Sequence, residues 1–300
     1  MNTFISLTSR NIKLFFRDKG LFFTSLATPL ILLVLYATFL RNVYRDTFVS
    51  VIPEGISVPE ELLEGLVGGQ LVSSLLAVSC VTVAFCSNML SVQDKVNGVR
   101  ADLEITPLRA PVLSASYYTA SLFSTLLICF GAAAAGFIYL GNIGWYLTGK
   151  DVLSLILDIF LLVTFGTALS SIVNLFLSSQ GQISAVGSII SSVYGFICGA
   201  YMPMSQFGET LQTALTFLPG TYGTALVRTH TMRNAFSELA ECGLPEEMVE
   251  DLKTSFDCNI EFGSEIVSEA QMYAILGLSC LFLLTLYIVL STVMAKRKKK

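Results

Sequence analysis

QDKVNGVRADLEITPLRAPV, residues 93–112, is the stretch on which the fold of this chain turns. It lies between two very apolar segments and carries a dense set of spaced charges: Asp94, Lys95, Arg100, Asp102, Glu104 and Arg109. Leu103 and Ile105 add a small apolar contact surface. Thr106-Pro107 ends the predicted helix, because proline removes a backbone donor and drives the preceding residue out of the helical region. A short amphipathic helix hung between two membrane spans is shaped to press on something soluble.

Composition places the rest in a bilayer. A chain of 300 residues that is 53% hydrophobic and only 13% charged is not soluble in type. A hydrocarbon core needs about 20 apolar residues per helix. The chain offers that length six times, at about 21–40, 66–90, 112–140, 152–177, 182–201 and 271–294. The expected fold is an all-α polytopic membrane protein in one domain, 1–300, with no internal repeat. Met1 leads straight into a polar amphipathic stretch, so no cleavable signal peptide is expected.

Residues 4–19 set Phe4, Ile5, Leu7, Ile12, Phe15 and Phe16 mostly to one side, with Arg10, Lys13, Arg17 and Lys19 around the rest. Such a helix lies in the headgroup plane with its apolar face down. Pro29 is expected to kink the first span, and residues 41–66 read as a short polar connection. Pro59-Glu60-Glu61 and Pro245-Glu246-Glu247 both read as helix starts, proline at the first position and acids in the first turn. Gly144 to Lys150 mimics a phosphate-binding loop, but Asp151 stands where a hydroxyl should hold magnesium, and no strand precedes the glycines. Pro203 and Pro219 bracket a stretch too short and polar to span, expected to be a re-entrant or interfacial helical segment buried against protein. Residues 228–269 read as an outer, soluble, acidic segment.

Basic residues fix the expected sidedness. Four lie in the first nineteen positions, three in the 93–112 loop and five at the carboxyl end, against six spread over the opposite side. Both termini and the loop are therefore expected in the cytoplasm, at the plasma membrane. His230 has no histidine or cysteine at ligand spacing, so no metal, cofactor or catalytic set is expected. Asp158 is the acid clearly inside a span, paired to an outer polar group or functional in its own right. Cys242 and Cys258 flank the outer helix and are candidates for a disulfide on compartment grounds. Cys80, Cys86, Cys129, Cys198 and Cys280 read as small apolar helix residues. Ser184, Ser188, Ser191, Gly195 and Gly199 form one small-residue face, which lets membrane helices approach closely. Asn88 faces the same region or bonds a neighbouring helix.

Asp94, Gly98 and Thr106-Pro107, the amphipathic start, and Gly199, Pro203 and Pro219-Gly220-Thr221-Tyr222 together resemble the ABC-2 type permeases, the membrane subunits of ATP-binding-cassette exporters. The chain departs from that pattern at Ala101, where an acid is usual, and at Gly208, where a second proline is common. The resemblance covers nearly the whole chain. It implies an amino-terminal elbow helix, six spans, a cytoplasmic coupling helix and a re-entrant segment after the fifth span. It also implies that Asp94, Gly98, Asp102, Leu103, Glu104, Thr106 and Pro107 serve coupling to a separate ABC ATPase subunit. The small face and Asn88 become the dimer seam with a second permease, identical or a sibling, or the wall of a substrate path. No nucleic acid partner is implied, and the membrane lipid is the surrounding solvent. The substrate lean is an amphipathic drug or peptide. The rivals are an ion-coupled transporter or channel working through Asp158, and a non-transporting membrane scaffold.

Overall fold

The computed structural model describes residues 2–53, 56–106, 108–197, 199–263 and 265–297. Pro107, Cys198 and the last three lysines of the carboxyl-terminal basic run lie outside them. Helix α1, Asn2–Arg17, turns Leu7, Asn11 and Phe15, four residues apart, into the protein and leaves Ile5, Lys13 and Arg17 exposed. Asp18 caps the next helix through a bond from the Leu21 amide at 3.1 Å. That helix, α2, Lys19–Leu35, carries Pro29 and runs through a π-helical turn, Tyr36–Leu40, directly into α3, Arg41–Val51. Residues 41–51, expected as a polar connection, therefore prolong the helix. Tyr44 and Phe48 give α3 a buried face, while Arg41 and Arg45 pair with Glu64 and Glu60 at 2.7 and 2.6 Å.

Glu60 and Glu64 belong to α4, Glu60–Val96, the axis of the fold. It starts behind Pro59 with Glu60 and Glu61 in its first turn, as the sequence implies. Of its most apolar window 89% is buried, because α2, α6, α7, α8 and α10 all pack on it. Helix α5, Val99–Glu104, follows after one tight turn, then α6, Ala110–Ile143, and α7, Gly149–Phe176. The phosphate-loop mimic is a capping box at the start of α7. Thr148 accepts from the Asp151 amide, and Asp151 accepts from the Thr148 amide at 3.0 Å.

The stretch expected as the fifth span is α8, Gln180–Ile197. Its 18 residues reach about 27 Å, and its start is rich in glutamine, serine and glycine, so it is not among the long apolar helices. Among the described residues five helices are long and apolar enough to cross a membrane: Lys19–Ser50, Glu60–Val96, Ala110–Ile143, Gly149–Phe176 and Glu269–Ala295. After α8 the chain turns at Gly199, makes a 3-10 turn at Met204–Gln206 and a short α9, Glu209–Thr216, and enters α10, Pro219–Glu241.

Residues 228–241, the start of the expected outer segment, belong to helix α10. It packs on α4, α7 and α12 and buries most of its length, including Arg228 and His230. Its first turn meets Phe165 in the middle of α7 at Gly220. Then follow α11, Glu246–Ser255, and a two-stranded antiparallel turn, β1 Glu261–Phe262 with β2 Glu265–Ile266. Helix α12, Glu269–Arg297, closes the fold. Cys242 and Cys258 are free thiols in the same apolar cluster as Phe48, Phe236 and Phe256, so the expected disulfide is absent from the structure. Burial pushes the Cys258 thiol up to about 12.

Candidate functional site

Asp94, Lys95 and Val96 are the last turn of α4 rather than loop. Asn97 closes that turn through its amide on Gln93 at 2.8 Å, and Gly98 reverses the chain at φ +80°, a conformation costly for residues with a Cβ. Helix α5 then runs for six residues with none of its side chains buried. Arg100 and Glu104 pair across one turn at 3.0 Å. Leu103 turns inward onto Leu7, Leu113 and Tyr117. Thr106 donates to the Leu103 carbonyl at 2.6 Å and so ends the helix. What projects from the protein is Ala101, Asp102, Glu104, Thr106 and, most of all, Ile105, 85% exposed.

The base of this projection is clamped. Asp94 is only 6% exposed, and its carboxylate accepts from Arg10 of α1 at 2.7 Å and from the Tyr117 hydroxyl of α6 at 2.6 Å. Lys95 donates to the carbonyls of Leu177 and Leu175, at 2.6 and 3.3 Å, where α7 ends. Four elements are thus fastened at one end of the bundle. Asp94, expected among the coupling residues, is thus buried at the base of α5 and engaged by α1 and α6. Of the expected apolar contact pair, Leu103 turns inward and Ile105 alone projects. The sequence signal was its place one residue past the acids, on the side opposite Leu103.

At the other end, Arg228 is 1% exposed and donates to Asp257 at 2.9 Å, to Ser74 of α4 at 3.4 Å and to the Gly199 carbonyl. Asp257 also accepts the Met204 amide at 2.9 Å. Burial pushes the Asp257 carboxyl above the ordinary carboxylate range, against the opposing pull of the Arg228 guanidinium. Gly199 has φ +66°, and a Cβ there would stand 2.5 Å from Asp257 Oδ2. One buried ion pair therefore joins α4, the turn after α8, α10 and the end of α11.

The small face of α8 divides along its length. Ser184 and Ser188 are exposed, and Ser191 is half-buried. Gly195 is covered by the ring of Tyr201 from the same chain, so a larger side chain there would strike its own fold. Gly199 serves the ion pair. Asn88 is buried and bonds a neighbouring helix: its side-chain amide donates to Ser171 and Ser170 of α7 at 2.6 and 3.1 Å, and its backbone carbonyl accepts from Asn174 at 2.9 Å. Of the expected seam, Ser184, Ser188 and Ser191 remain available. Beside Ser191, between the first long helix and α8, lies a cavity of about 720 Å³ walled by Leu35, Phe39, Tyr44, Phe196 and Tyr201. None of its lining side chains is charged.

Asp158 has both oxygens engaged, one with His230 Nδ1 and the other with the Tyr273 hydroxyl, each at 2.6 Å. His230 Nε2 faces Glu269 at 3.6 Å, and Glu269 pairs with Arg233 at 2.7 Å. This cluster bolts α7, α10 and α12 together.

A family model described as ABC-2 type transporter matches residues 2–230. Neither the curated proteins nor the solved structures contain a match to the chain.

Proposed function

The chain belongs to the ABC-2 type transporter family, and on that premise we propose that it is the permease subunit of an exporter driven by ATP hydrolysed on a separate subunit. The family is one of membrane transport domains that pair with an ABC ATPase, and the long apolar helices make this chain a multi-pass membrane protein. The single observation that carries the finer reading is the projecting α5, its acids and Ile105 outermost and its base clamped to α1, α4, α6 and α7. A push on that surface is passed to the ends of four elements at once, which is what switching a cavity between inward- and outward-facing states requires. In this reading α8 is the sixth crossing and α1 the elbow. A second permease meets the chain near Ser184, Ser188 and Ser191. The neighbouring apolar cavity takes part of an amphipathic substrate, exported across the plasma membrane.

Replacing Asp102 and Glu104 by Lys, or Ile105 by Asp, should reduce copurification of the ATPase subunit and substrate-coupled ATP hydrolysis by roughly tenfold, as truncating interface anchors does. Unchanged association in both variants would remove α5 as the docking surface. The proposed sidedness has its own test. A Cys in place of Lys298 should react with an impermeant maleimide only in opened cells, whereas a Cys in place of the exposed Glu261 should react in intact ones. Labelling of position 298 from outside would invert the topology.

A further inference from the structure

The side of α1 turned away from the bundle carries Ser6, Ser9, Lys13 and Arg17, with Ile5 and Leu14 alongside, around a surface hollow of about 580 Å³. Arg10 lines the same hollow while its guanidinium holds Asp94. The helix contains no acidic residue. Among the described residues neither Lys13 nor Arg17 has an acidic partner. The opposite side of α1 is rooted by Leu7, which packs with Leu113 and Tyr117 at the start of α6, and by Phe15, which packs with Met89 and Val92 near the end of α4. The hollow therefore lies on the side of α1 away from these contacts.

We propose that this hollow binds the headgroup of an anionic phospholipid in the leaflet where α1 lies. Lys13 and Arg17, one helical turn apart, match a phosphodiester and a further negative charge, with Arg10 beside them held by Asp94. Two serine hydroxyls can donate to phosphate or glycerol oxygens. Ile5, 56% exposed, and Leu14 border the hollow and offer a surface to the first methylenes of an acyl chain. A free phosphate ion would use only the cations and leave that apolar border wet. Which leaflet is involved rests on the sidedness proposed above, but the site itself does not. Because Arg10 belongs to both the hollow and the Asp94 tie, a bound headgroup touches the base of α5. The lipid thereby acts on the same clamp that transmits the push.

The test is lipid retention by the purified full chain in native mass spectrometry, with phosphatidylglycerol and phosphatidylcholine offered in equal amounts. The parent should keep phosphatidylglycerol preferentially. The double change Lys13→Ala and Arg17→Ala should lower that preference by roughly tenfold or more, each charge near an anionic surface counting for much of a decade. Both side chains are exposed, so folding is not at stake. Ser9→Asp, which puts an acid into the hollow without removing a cation, should act in the same direction. Lys150→Ala with Lys253→Ala, which removes equal charge from the far end of the protein, should leave retention as in the parent. Equal retention of both lipids by the parent overturns the proposal, as does unchanged preference in the Lys13 and Arg17 variant. Displacement of the lipid by millimolar inorganic phosphate overturns the lipid assignment in favour of a simple anion site. None of these readouts involves ATP, so failure of the export reading and failure of this site are distinguishable.

Discussion

Arg228→Met should destabilise the protein by about 3–5 kcal/mol, the range found when one partner of a buried ion pair is removed and the other charge is left without compensation. The side chain is 1% exposed, and its partner Asp257 is 3% exposed. With the guanidinium gone, Asp257 keeps the Met204 amide but loses its countercharge, and the Gly199 carbonyl and Ser74 lose a donor. The loss should be read as a drop in unfolding midpoint in detergent micelles, accompanied by new protease sites between residues 199 and 219. The paired change Arg228→Met with Asp257→Leu removes both charges and should restore much of the loss, because replacing a whole buried pair by apolar groups is often neutral. Arg228→Lys should fall between, since an ammonium keeps the charge but cannot reach three acceptors in the guanidinium's fixed fork. A single Arg228→Met variant within about 1 kcal/mol of the parent would mean that water already reaches the pair and that the turn after α8 is held by other contacts.

That ion pair also shows what a local reading of sequence does not see. Arg228, Thr229, His230 and Arg233 make residues 228–233 look like part of a soluble segment, and any window average over them is polar. Their polarity is cancelled by partners distant in sequence: Arg228 by Asp257, 29 residues on, and His230 by Asp158, 72 residues back. A local window sees the cost of burying a charge and not the countercharge. By contrast, whatever depends on a few adjacent residues was legible. The starts of α4 and α11 follow from Pro-Glu-Glu at Pro59 and Pro245. The long apolar runs predict three of the five helices within a few residues; α4 runs six residues further at each end, and the first runs longer because α3 continues α2. The amphipathic α1 was also readable, from its spacing.

The candidate site was half legible for the same reason. The charged loop announced a projecting helix, but which charges project depends on α1, whose Arg10 is 84 residues from Asp94. The sequence shows six charges in one stretch, and the structure makes two of them, Asp94 and Lys95, ties to other helices and leaves Asp102 and Glu104 facing outward. The small face of α8 was likewise visible as a pattern, while the ring that covers Gly195 comes from Tyr201, beyond the turn.

Asp94→Asn separates a tie from a contact, and its expected result is loss of coupling with retention of the partner. The amide keeps one acceptor oxygen but gives up the charge that holds Arg10 and Tyr117. Bonds to charged groups contribute about 1.5–3 kcal/mol each, and Arg10 is partly solvated, so the whole loss should be about 2–3 kcal/mol. Most of that loosening falls on α1, which should show faster amide hydrogen exchange over residues 7–15. The outward set, Asp102, Glu104 and Ile105, is untouched, so the ATPase subunit should still copurify with the variant. ATP hydrolysis should then continue near its basal rate while its stimulation by substrate falls several-fold, because the push on α5 is no longer passed to α1 and α6. Tyr117→Phe removes one of the two bonds and should lie between the variant and the parent. The Asp102 and Glu104 reversal shows the opposite pattern, losing the partner while α1 stays protected. Were Asp94→Asn to lose the partner as well, with α1 exchange unchanged, Asp94 would have to face the ATPase directly, and the clamp at the base of α5 would not be what couples the two subunits.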